Sequence, residues 1–64
     1  MNSNYNVYRK EVVRIVNAKQ AALYIKHGAK LVDVYCGYQN TLVCVFEKES
    51  TQDLFDRWVK HELD

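Results

Sequence analysis

Leu31-Val32-Asp33-Val34-Tyr35-Cys36, then Gly37-Tyr38-Gln39-Asn40-Thr41, then Leu42-Val43-Cys44-Val45-Phe46, reads as two strands around a short polar turn. Both flanks are rich in β-branched and aromatic residues, which suit a pleated, half-buried surface. The middle segment is short enough to close an antiparallel hairpin. Its register stays open. A two-residue Gln39-Asn40 loop pairs Cys36 with Val43, and a three-residue loop sets Cys36 opposite Cys44. The later strand is apolar on both sides, with Leu42, Cys44 and Phe46 pointing one way and Val43 and Val45 the other. In the earlier strand, Leu31 and Tyr35 alternate away from Val32, Val34 and Cys36.

Working outward, Val12, Val13, Ile15 and Val16, with Arg14 among them, form a further strand. Asn17 stops it and stands as a helix N-cap, and Gln20 three residues on completes an approximate capping box. Strong helix formers fill residues 18–27, and Gly28 lies where a left-handed C-terminal cap needs it. Ala18, Ala21, Ala22, Tyr24 and Ile25 share one face of this helix, while Leu23 falls on the other side among Lys19, Lys26 and His27. Downstream, Ser50 and Asp53 provide a second N-cap with an acid near the positive end of the helix dipole. Leu54, Phe55, Trp58, Val59 and Leu63 then recur at helical spacing, with Trp58 read as a core residue.

The order is β-α-β-β-α, an α/β chain of the α+β two-layer kind. Residues 1–10 read as an N-terminal arm that can extend the first strand, and residues 11–64 as a single small domain. A right-handed crossover makes the first two strands parallel, and the hairpin makes the third antiparallel to the second. With the third strand in the middle, every neighbouring pair is antiparallel and both helices pack on one face of a three-stranded sheet. Two helices on one face cannot bury both sides of the third strand. The other face is expected to expose Leu31, Tyr35, Val43 and Val45, a patch of the kind that marks a contact surface. Leu23 joins them as an outlying contact residue.

Size points the same way. A chain of 64 residues buries only about 60% of its unfolded surface, and small domains often add self-association to a marginal core. Homodimerisation is therefore expected. The apolar fraction of 48% and charged fraction of 27% are those of a folded protein. A net charge of +1 gives no strong field of either sign, unlike that of many nucleic-acid binders. Two cysteines are too few for a secreted disulfide framework, and no transmembrane span or leader is legible, so cytoplasmic residence is expected.

No catalytic constellation stands out, and no cofactor is expected. Cys36, Cys44, His27 and His61 lack the close pairing of a zinc site. The cysteines lie inside apolar strands, where a thiol packs as a small hydrophobe and gains no activation. The two glycines are too far apart for a phosphate loop. An alternative reading remains in the arm, where Tyr5, Tyr8, Arg9, Lys10 and Arg14 interleave aromatics with bases and could stack on and neutralise a single-stranded nucleic acid.

Three segments carry a resemblance: Gln20-Ala21-Ala22-Leu23-Tyr24-Ile25 with Gly28 after it, Val43-Cys44-Val45-Phe46-Glu47, and Leu54-Phe55-Asp56-Arg57-Trp58. Together they resemble short proteins of bacteria and their phages known as domains of unknown function. The likeness covers residues 12–63 and rests on ordinary amphipathic units. It implies a small accessory protein, in a bacterial cytoplasm or in the host's if phage-encoded, and supplies no functional residues. A phage origin would imply an inhibitor of a host or defence system, since anti-CRISPR proteins share this size and lack enzymatic motifs. The expectation is a non-catalytic protein-interaction module, homodimeric or bound to another protein.

Overall fold

The computed structural model describes residues 8–64. Its elements are β1 (Val12–Ile15), α1 (Ala18–Lys26), β2 (Leu31–Cys36), β3 (Leu42–Glu47) and α2 (Gln52–Val59), with 3₁₀ turns at Tyr38–Asn40 and Lys48–Thr51. The strands form one sheet in the order β1-β3-β2, and both pairings are antiparallel. Tyr24 and Ala21 of α1 and Leu54 of α2 meet Cys44 and Phe46 of β3 in one core, with Val13, Ile15 and Trp58 at its margin. Both helices therefore lie on one face, as the element order anticipates. Tyr24 and Phe46 pack edge to face, with centroids 5.5 Å apart. Gln20 Nε2 donates to the Tyr24 hydroxyl at 3.0 Å, so the buried phenol keeps a polar partner.

The ends of α1 follow their local signals. Asn17 is extended, and its Oδ1 accepts from Gln20 N at 2.9 Å. Gly28 has φ +90, a conformation open to glycine at little strain, and Ala29 N closes the turn on Tyr24 O at 2.9 Å. The helix is turned differently from its apolar pattern, however. Leu23 is half-buried against the core, whereas Ile25 is exposed. The cause lies at the other end of the chain. Leu63 is buried in the core, and the main-chain oxygen of Asp64 accepts from His27 Nε2 at 2.9 Å. His27 stands one turn beyond Leu23, so the C-terminal residues cover that side of α1.

The second cap also differs. Ser50 Oγ donates to Glu47 O at 2.7 Å and accepts from Lys30 N at 2.9 Å, tying the start of β2 to the end of β3. Thr51 occupies the N-cap position without a side-chain cap, because the 3₁₀ turn runs into α2 with helical backbone already formed.

The hairpin takes neither register considered above. Cys36 pairs with Leu42, and Gly37 N donates to Thr41 O at 2.7 Å, leaving Tyr38–Asn40 as the loop. Gln39 and Asn40 both turn left-handed, with φ 55 and φ 62. Gly37 allows this closure. A Cβ there would stand 2.7 Å from Val43 Cγ2, so the bare backbone itself lies against Val43. A bulge breaks the alternation of β2: Leu31 pairs with Phe46 and Asp33 with Val45, leaving Val32 as the extra residue. Leu31 consequently faces the helix side with Val34 and Cys36, correcting its expected place beside Tyr35.

Candidate functional site

On the sheet face away from the helices, Val43 and Val45 were expected in the open. They are 6% and 0% exposed. In register, Val45 lies between Arg14 of β1 and Asp33 of β2. Tyr8 joins these two neighbours. Its hydroxyl donates to Asp33 Oδ2 at 2.8 Å, and the Arg14 guanidinium lies 6.0 Å from its ring centroid. The ring thus bridges the outer strands across Val45, while Tyr35 and Gly37 flank Val43. Tyr8, four residues ahead of β1, lies with Arg14 and Asp33 on the face that the helices leave.

The Tyr8 phenol is held above its ordinary value of 10.0. The main cause is its hydrogen bond to Asp33, whose charge also opposes a phenolate, while Arg14 acts in the opposite sense.

Apolar exposure lies instead on β2. All six of its residues are exposed, with Leu31, Val32, Val34 and Tyr35 between 36% and 47%. These side chains occupy both sheet faces, and Leu42 beside them is exposed too. β2 is also an edge strand. Its direction of bonding follows from the pairs that flank it. Gly37 N bonds Thr41 O, and Glu47 N bonds Lys30 O at 2.9 Å. Alternation then turns the backbone of Asp33 and Tyr35 toward β3, and that of Val34 and Cys36 toward solvent.

One of these outward groups is occupied. Val34 N donates to Asp33 Oδ1 at 2.8 Å. Asp33 therefore closes a free edge donor with one oxygen and holds Tyr8 with the other. Sequence reading passed over this residue, although a single acid inside an otherwise apolar strand was a visible signal.

The remaining candidates scatter. Leu31 and Tyr35 are exposed on opposite faces of β2, Leu23 packs against the core, and Val43 and Val45 are buried. Of the arm residues, Tyr5 lies outside the described residues. Tyr8 and Arg14 belong to the cover over Val45, Lys10 lies 3.8 Å from Glu49, and Arg9 is exposed. Cys44 is buried, and Cys36 Sγ lies 3.6 Å from Asn40 Oδ1. Among the described residues, no three His, Cys, Asp or Glu side chains gather as a metal site. No described helix is long and apolar enough to cross a membrane. A cleft of about 330 Å³ opens between β1 and α2, lined by Val13, Ile15, Tyr24 and Phe55 among others. Comparison with family models, curated proteins and solved structures yields no match.

Proposed function

We propose that the protein is a non-catalytic interaction module that works through β2, and that its first partner is a second copy of itself. The observation that carries this reading is the exposure of every residue of a six-residue apolar edge strand. Exposed apolar edges of this length tend to pair, and against that tendency β2 carries a single charge, Asp33, and the bulge at Val32. The outward backbone groups fall at Val34 and Cys36, two positions apart. A two-fold axis at Tyr35 therefore pairs Val34 of each copy with Cys36 of the other, the self-complementary arrangement a symmetric dimer requires. Two three-stranded sheets would join into one of six strands.

The inhibitor role implied by the resemblance would use the same surface, with a host protein adding its own strand. A nucleic-acid role has less support. Lys10 and Arg14 already face Glu49 and Tyr8, and Asp33 puts a negative charge in the middle of the aromatic face.

Val34→Lys tests the reading, because each lysine would enter the joined edge opposite Cys36 of the other copy, with the second lysine its diagonal like-charged neighbour on the same face. Light scattering over a range of concentrations is expected to show the wild type gaining mass and the variant staying monomeric, with helical circular dichroism unchanged. An equal mass for both proteins at every concentration would refute pairing through β2.

A further inference from the structure

We infer that Asp33, anchored by Tyr8, is a guard on the β2 edge that must open before that edge can pair. The inference rests on the pairing proposed for β2 and adds how it is controlled. Three contacts support it. Asp33 Oδ1 accepts from Val34 N at 2.8 Å, so the outward-facing donor at Val34 is already engaged. Asp33 Oδ2 accepts from the Tyr8 hydroxyl at 2.8 Å, which fixes the carboxylate from a residue 25 positions away. Arg14 lies over the same ring. The bulge at Val32, adjacent to the guarded pair, twists that half of the strand and further spoils a straight edge.

Pairing of two copies requires Val34 N to exchange the Asp33 oxygen for a carbonyl of the other chain. The carboxylate must swing away, and with it goes the anchor that holds Tyr8 over Val45. The guard thus couples two events, release of the arm residue and exposure of the edge. A competitor that takes Tyr8 would promote pairing, and pairing would loosen Tyr8 by the same factor. Asp33 is the acid on which both contacts converge, so its removal has the larger effect. Loss of the phenol hydroxyl alone leaves the Val34 contact in place.

The test compares wild type, Tyr8→Phe, Asp33→Asn, Asp33→Ala and the double variant Asp33→Ala with Val34→Lys. Light scattering gives the dimer dissociation constant, and amide hydrogen exchange reads the Val34 N–H directly. Asp33→Ala is expected to tighten dimerisation on the order of a hundredfold, about tenfold for the guard that each of the two copies must open. Asp33→Asn, which keeps an acceptor oxygen, and Tyr8→Phe fall between it and wild type. In dilute Asp33→Ala the Val34 amide exchanges faster than in wild type, and at high concentration it is protected again. The double variant stays monomeric.

Should Asp33→Ala fail to fold, the Asp33→Asn and Tyr8→Phe proteins carry the same ordering. An unchanged dissociation constant in the folded Asp33 variants overturns the guard, as does enhanced association that persists with lysine at position 34. Failure of the β2 reading itself looks different: Val34→Lys in the otherwise wild-type chain would leave association unaltered.

Discussion

β2 and β3 lie side by side, each six residues long, and their sequences are nearly interchangeable: Leu-Val-Asp-Val-Tyr-Cys against Leu-Val-Cys-Val-Phe-Glu. Every residue of β2 is exposed, whereas Val43, Cys44, Val45 and Phe46 of β3 are buried. Apolar content does not explain the difference. Position does. β3 has a strand on each side, the helices over one face, and Tyr8 with Arg14 and Asp33 over the other. β2 has a neighbour on one side, and the helices stop short of it. A hydrophobic strand is a requirement for burial, and the surrounding elements decide whether the requirement is met.

Matched truncations should break that comparison first. Phe46 and Leu31 are cross-strand partners on the helix side. Phe46→Ala removes a fully buried ring and its edge contact with Tyr24, and should cost about 3–5 kcal/mol. That approaches the whole stability of a domain this small, roughly 0.05–0.15 kcal/mol per residue. A urea titration is therefore expected to show little cooperative unfolding left. Leu31→Ala, on the exposed strand, should lose about 1 kcal/mol or less. Equal losses at the two positions would mean that β2 is as well packed as β3.

A smaller effect is expected at the junction of the two strands. Gly37→Ala places a methyl 2.7 Å from Val43 Cγ2 and 3.4 Å from Thr41 O. Val43 is stiff at χ1 and cannot swing clear without shifting the hairpin. Overpacking of this kind costs about 1–3 kcal/mol, read as a lower urea midpoint. A midpoint equal to wild type would show that the hairpin relaxes freely and that Val43 is held by something other than the close backbone.

The smallest effect sharpens the account of the covered face. Tyr8 has its phenol raised above 10.0 by the Asp33 hydrogen bond. Since the folded value exceeds the unfolded one, the stabilising contribution is fully present below pH about 10. It fades as pH rises through the higher folded value. Ultraviolet difference titration of the wild type against Tyr8→Phe should therefore show Tyr8 ionising late, and Asp33→Ala should bring it back toward the ordinary range. A late tyrosine that persists without Asp33 would place the cause elsewhere.

Much of this architecture is legible in short windows. Asn17 before a run of helix formers, Gly28 after it, and two β-branched segments around a polar turn each report on a few neighbouring residues. Asn17 Oδ1 on Gln20 N and Gly28 at φ +90 are those same local forces at work. The candidate site was harder to read. Strict alternation put Leu31 with Tyr35, and the bulge at Val32 moved it to the other face. The helical projection put Leu23 outside, and the C-terminal residues covered it. Val43 and Val45 looked like a binding surface because nothing in their own neighbourhood says that Tyr8 crosses Val45.

By itself, then, the sequence determined the types and order of the helices and strands and a three-stranded sheet with the helices on one face, while the place of β3 in the middle of that sheet is given by the folded structure. Hydrogen-bonding needs, periodicity and crossover handedness act locally or through topology, and leave few alternatives. Which apolar residues remain exposed was decided only by the tertiary structure. That outcome depends on contacts such as Tyr8 to Asp33, 25 residues apart, and His27 to Asp64, 37 apart. These contacts arise from where the folded elements bring distant side chains, and no local pattern encodes that placement.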